Sequence, residues 1–221
     1  MCSFVKRKTK MSKHHTILIF ASGSGTNAEQ IIRHFSSIRN VKVAGVYTNN
    51  PSAHVIERVK QLDVPTFLFT RKQLNDPYAL LAQLKDKTPD LIVLAGFLWK
   101  IPPHIVEAFP NKVINIHPSL LPKFGGKGMF GRHVHQAVID AKEVESGISI
   151  HYVNSEYDEG AIIFQAKTIV DPQETPESLE QKIHKLEHKH FPHQIEKLLL
   201  PKEKRVNLYT DGAASGNPGP G

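Results

Sequence analysis

Residues 16–27 read Thr16-Ile17-Leu18-Ile19-Phe20-Ala21-Ser22-Gly23-Ser24-Gly25-Thr26-Asn27, an apolar run that passes without a spacer into a turn of small residues. Ala28–Phe35 follows with helical character. Strand, glycine turn and helix in that order open a β-α-β unit. Outward from it, short apolar runs rich in β-branched residues recur at Val41–Tyr47, Thr66–Phe69, Leu91–Ala95 and Lys112–Ile116, with helical stretches between them. Leu91-Ile92-Val93-Leu94 is apolar without alternation, as in a strand covered on both faces. The pattern predicts an α/β fold with a doubly wound, mostly parallel, Rossmann-like sheet. Its crossovers should be right-handed and its ligands should sit at the carboxyl ends of the strands.

After residue 145 the pattern changes. Gly147–Val153 alternates, Ala161–Val170 reads as a second strand, and the polar stretch Asn154–Gly160 joins them, which predicts a C-terminal antiparallel hairpin. A final helix is expected from Thr175 or Pro176 to Leu199, with Thr175 or Ser178 as N-cap and a kink at Pro192. The expected organisation is one domain over residues 15–200, a basic and disordered extension over 1–14, and a separate segment over 201–221.

The net charge of +7 would suggest nucleic-acid binding if it were spread over the domain. It is not. Lys6, Arg7, Lys8, Lys10 and Lys13 carry five of those charges in the first fifteen residues, and the last twenty-two residues add one, so the body is nearly neutral. Basic residues without interleaved aromatics make a poor nucleic-acid signature, and no nucleic-acid partner is expected. No apolar run approaches the ~20 residues that span a bilayer, so no membrane association is expected either. Cys2 has no partner for an internal disulfide, in keeping with a reducing, cytoplasmic setting.

Three motifs carry chemistry. Glycines in the turn Gly23–Asn27 let the backbone approach an anion, and the amides at the start of the following helix suit a phosphate; a ligand-free tight turn would use the same residues. The spacing is not the dinucleotide fingerprint, since Gly23 and Gly25 are followed by Ala28. In the segment Asn115-Ile116-His117-Pro118, an extended backbone points Asn115 and His117 to one side. An amide that holds a developing oxyanion beside an imidazole that moves protons suits acyl transfer. Asp158-Glu159-Gly160 lies in the hairpin connection, where an acid either supports the turn or holds the His117 ring in its charged form.

Taken together, Gly23–Asn27, AGFLWKI at 95–101, INIHPSLLP at 114–122, SGISIHYVN at 146–154 and DEGAIIFQAK at 158–167 resemble the folate-dependent formyltransferase family, in its glycinamide ribonucleotide branch. The resemblance covers roughly residues 15–199. It implies transfer of a formyl group from 10-formyltetrahydrofolate, as co-substrate, to the amine of glycinamide ribonucleotide in purine biosynthesis, with no metal and no covalent enzyme intermediate. By the resemblance Asn115 would bind the formyl oxygen, His117 would act as general acid and base, and Asp158 would support the charged imidazole. Gly25, Thr26 and Asn27 match the loop that holds the nucleotide's phosphate, and Glu187 matches a substrate-contacting acid, though a helix-surface charge would look the same. Leu98, Trp99, Lys100 and Ile101 match the segment along which the pterin lies, with the 153–158 loop closing the other side, and Asn115, Val153 and Asn154 are counted with them as folate-binding. Methionyl-tRNA formyltransferase and formyltetrahydrofolate deformylase each carry an additional domain for which the chain shows no counterpart. Another folate-dependent formyltransferase or deformylase, or a nucleic-acid-binding protein on this fold, are the alternatives.

Two departures stand out. The family often has a basic residue where Trp99 stands, which leaves open whether Lys100 takes that role. The stretch Lys123–His133 is longer than the common pattern and holds four glycines; it reads as a lid or as a plain connection. His133 and His135 beyond it find no further ligands at metal-binding spacing. Residues 206–221 resemble the opening strand and turn of ribonuclease HI, with Asp211 in the place of its first metal-binding carboxylate. That chemistry needs several carboxylates around two metals, so this segment is expected to add no nuclease activity.

Overall fold

The computed structural model describes residues 13–201; the basic residues 1–12 and the segment 202–221 with Asp211 lie outside the described residues. Strands β1 (His15–Phe20), β2 (Val41–Thr48), β3 (Thr66–Leu68), β4 (Leu91–Leu94) and β5 (Val113–His117) pair in parallel, in the order β3-β2-β1-β4-β5. The sheet is completed by β6 (Glu145–Tyr152) and β7 (Ile162–Ile169), both antiparallel to their neighbours. These are the strands the hydrophobic pattern predicts, displaced by at most two residues at either end. The strand order reverses between β1 and β4, where a doubly wound sheet opens a crevice at its carboxyl edge.

Helices cover both faces. Ile17 and Ile19 of β1 pack with Val93, Ile114 and Ile148 against α1 (Thr26–Phe35), α2 (Val55–Lys60), α6 (Arg132–Asp140) and α7 (Pro176–Leu199). Leu18 and Phe20, pointing the other way, pack with Ile92 and Leu94 against α3 (Arg71–Asn75), α4 (Ala79–Asp86) and α5 (Pro103–Ala108). Two buried faces explain why the central strands are apolar throughout. At the amino edge Lys13, inside the expected extension, is tied to Asp90 at 2.8 Å.

Thr175 caps α7: its hydroxyl accepts from the Ser178 N–H, and the Ser178 hydroxyl accepts from the Thr175 N–H. Pro192, where a kink is expected, is buried inside this continuous 24-residue helix. Among the described residues no helix is long and apolar enough to cross a membrane.

Candidate active site

The carboxyl ends of β1, β4 and β5 open on one cavity of about 510 Å³. All the residues to which the resemblance gives catalytic, nucleotide or folate roles line it. Gly25, Thr26 and Asn27 come from the turn after β1, Leu98 to Ile101 from the segment after β4, and Asn115 and His117 from β5. Val153, Asn154 and Asp158 come from the β6–β7 connection, and Glu187 from α7.

On the β1 side the loop is shaped by Gly25, at φ +75°, where a Cβ would stand 2.4 Å from the Val55 side chain. Only glycine fits that left-handed position. It is also the N-cap of α1, and no side chain caps the helix start at the cavity wall. Asn27 donates from Nδ2 to Glu187 Oε2 at 2.8 Å. Glu187 is only 6% exposed, and burial pushes its carboxyl up against the opposing pull of Asn27 and His184. The alternative of a helix-surface charge is thereby excluded.

The acid–base group sits across the cavity. His117, 3% exposed, must donate from Nε2 to the Phe124 carbonyl at 2.8 Å, because a carbonyl only accepts. Its Nδ1 is then the atom free to take a proton, 3.6 Å from Asp158 Oδ2. Burial holds His117 below its ordinary value even though Asp158 and the Phe124 carbonyl pull it up, so the resting ring is neutral near neutral pH. Burial would raise Asp158 itself, but the His151 and His117 rings and the Gly126 N–H, which donates to Oδ2 at 2.9 Å, bring it below the usual carboxylate value. Asp158 has φ +56°, a left-handed conformation that Asp tolerates better than most residues. Asn115 donates from Nδ2 to His151 Nε2 at 3.1 Å and, more weakly, to Asp158 Oδ1 at 3.5 Å.

The stretch Lys123–His133 is part of this constellation rather than a connection beside it. Phe124 and Gly126 hold His117 and Asp158 through backbone groups, and Gly126 to Gly131 form one wall of the cavity. Lys100 and Trp99 each take part in a cation–π contact. Lys100 Nζ lies 4.8 Å above the Tyr157 ring across the cavity, while the Arg71 guanidinium from α3 lies 4.4 Å above the Trp99 ring. Among the described residues no group of three or more His, Cys, Asp or Glu side chains is placed to hold a metal.

A family model described as formyl transferase matches residues 15–195. The chain belongs to the formyltransferase family. It is 38% identical over 186 residues to the phosphoribosylglycinamide formyltransferase of Bacillus subtilis (strain 168), covering 82% of this chain and 93% of that one. It is 35% identical over 202 residues to the chloroplastic phosphoribosylglycinamide formyltransferase of Arabidopsis thaliana, covering 89% of this chain and 68% of the other. The crystal structure of the phosphoribosylglycinamide formyltransferase of Bacillus halodurans superimposes with a TM-score of 0.76 at 38% identity, over 88% of this chain and 99% of that one.

Sequence reasoning missed several residues of this formyltransferase. His151 stands opposite Asn115, and Ser149 opposite His117, in the β5–β6 register. The Ser149 hydroxyl donates to the Ser119 carbonyl at 2.7 Å and accepts from the Leu121 N–H at 2.9 Å, shaping the turn after His117. Their alternation in Ser149-Ile150-His151 was the available signal, since an antiparallel neighbour would present both to the face used by Asn115 and His117. His135, Glu180 and His184 also line the cavity from α6 and α7. No short-range pattern connects those helices to the β1 loop.

Proposed function

We propose that this formyltransferase transfers the formyl group of 10-formyltetrahydrofolate to the primary amine of glycinamide ribonucleotide, a step of purine biosynthesis. The observation that carries the reading is the placement of a buried, neutral imidazole, an amide donor and a carboxylate in the same cavity as an uncapped helix start. The nucleotide's phosphate binds the amides of Gly25, Thr26 and Asn27, and Glu187 receives a ribose hydroxyl. The folate lies along Leu98, Trp99, Lys100 and Ile101, with Val153 and Asn154 opposite.

The amine nitrogen attacks the formyl carbon, and the carbonyl electron pair moves to oxygen, where an Asn115 N–H released from its long 3.5 Å contact with Asp158 stabilises it. His117 Nδ1 takes the proton released from the attacking amine. The imidazolium so formed is stabilised by Asp158, whose depressed value keeps it ionised. Collapse of the tetrahedral intermediate breaks the bond to the folate nitrogen, which leaves with the proton from His117. Folate and nucleotide meet directly, so no side chain has to act as nucleophile.

The test is turnover of purified protein with 10-formyltetrahydrofolate and glycinamide ribonucleotide, beside parallel assays of initiator-tRNA formylation and folate hydrolysis. Formylated glycinamide ribonucleotide as the main product is expected. Turnover of initiator tRNA in its place would overturn the assignment.

A further inference from the structure

Ser22 is a buried hydroxyl that the mechanism does not use. It lies just past β1, 6% exposed, and every polar group it has is engaged. Its N–H donates to the Gly96 carbonyl at 3.0 Å. Its Oγ accepts from the Leu98 N–H at 3.0 Å and donates to Asn49 Oδ1 at 2.7 Å, while its carbonyl lies 3.4 Å from Asn50 Nδ2. With its proton given to Asn49 and a lone pair given to Leu98, this hydroxyl has no base to activate it as a nucleophile.

Its position lies between the two halves of the site. On one side Gly96, at φ +74°, turns the chain out of β4, and Leu98 follows, 51% exposed, at the cavity wall. On the other side the Gly23 carbonyl accepts from the Val55 N–H at 3.1 Å, the Ser24 carbonyl accepts from Arg58 Nε at 2.8 Å, and Gly25 begins α1. Ser22 therefore bridges the turn that borders the folate and the loop that borders the nucleotide, at the point where the strand order reverses.

We propose that Ser22 is a positioning residue that locks the turn 96–98 to the loop 23–27, so that formyl carbon and amine meet at a set separation. This rests on the reading that folate and nucleotide occupy those two walls. Reaction between two bound molecules depends steeply on their alignment, and a displacement of about 1 Å can cost about a hundredfold in rate. Removing the hydroxyl leaves the Leu98 N–H without its acceptor and frees the turn to shift relative to the loop. Each wall itself keeps its shape, so the affinity for either substrate alone changes little.

The experiment uses the full chain as wild type, Ser22→Ala and Ser22→Thr, with three readouts: kcat, the Kd of each substrate by calorimetry, and exchange of the Leu98 amide by NMR. The expected result for Ser22→Ala is a kcat loss of roughly tenfold to a hundredfold. Each Kd should stay within about threefold, the acid limb of the pH profile should not move, and the Leu98 amide should exchange faster. Ser22→Thr, which keeps the hydroxyl, should restore kcat to within about threefold. A folded Ser22→Ala with wild-type kcat overturns the proposal, and so does a shifted pH limb, which would put Ser22 in the proton chemistry. Should Ser22→Ala not fold, Asn49→Ala and the wild-type amide decide: an unprotected Leu98 amide in the folded wild type, or an Asn49→Ala enzyme with unaltered kcat, also overturns it. Failure of wild type to turn over the substrate pair would instead sink the assigned reaction, and the Leu98 exchange would still be readable.

Discussion

His117 and His151 are set in opposite tautomers by one backbone carbonyl each. His117 gives its Nε2 proton to Phe124, and His151 gives its Nδ1 proton to Tyr152 at 2.9 Å, which leaves His151 Nε2 to accept from Asn115. One ring thus presents a basic Nδ1 beside Asp158, and the other orients the amide that would meet the oxyanion. If His117 Nδ1 carries the proton, His117→Ala should lower kcat by about two to four orders of magnitude while both substrates still bind. A variant within threefold of wild type would remove His117 from the reaction. Asp158→Asn removes the charge that partly offsets the burial of His117, so the ring should become a still weaker base. Since the neutral ring is the working base, the acid limb of kcat/KM should then move to lower pH, and the maximal rate should fall because the imidazolium has lost its partner. An acid limb that stays in place or moves up would show that Asp158 does not act on His117.

At the scale of elements, the turn between β1 and α1 is the part that tolerates least. Gly25→Ala places a Cβ against Val55 and forces φ +75° on a residue with a side chain, which should cost about 1–3 kcal/mol. The nucleotide KM should rise more than the folate KM, because the shifted amides belong to the phosphate wall, and equal effects on the two would count against a phosphate site there. This turn was legible in the sequence as a tight glycine turn leading into a helix, though a ligand-free turn would read the same, and so was the Asn115/His117 pair, because a strand's period of two puts alternate residues on one face. The capping of α7 was legible in part: Thr175 and Ser178 were both candidates, and in the structure each caps the other's backbone. His151 was less legible because its place opposite Asn115 depends on the β5–β6 register, which connects residues 36 apart. The roles of Phe124 and Gly126 were out of reach, because both act through backbone groups, to which side-chain identity is silent.

Over the whole molecule, the hydrogen bond from Asn27 to Glu187 joins the first helix to the last across 160 residues and closes one side of the cavity. Burial raises the Glu187 carboxyl above its ordinary value of 4.5, helped by Glu180 and opposed by Asn27 and His184. The folded chain therefore binds this proton more tightly than the unfolded chain does. For a group whose folded value is raised, the stabilisation is fully present below the unfolded value and is lost as pH rises through the folded one. Glu187→Gln keeps the shape and a carbonyl oxygen for Asn27 but cannot ionise. Thermal unfolding of the apo protein should accordingly show the wild type losing stability relative to Glu187→Gln from about pH 4.5 upward. Glu187→Ala, which empties the site and strands the Asn27 amide, should be less stable than either by about 2–4 kcal/mol. A wild type that instead gains stability relative to Glu187→Gln as pH rises through 4.5 would mean that the Glu187 carboxyl is held below its ordinary value and is ionised in the fold. The link between α1 and α7 would then be an ion–dipole contact in place of a neutral hydrogen bond.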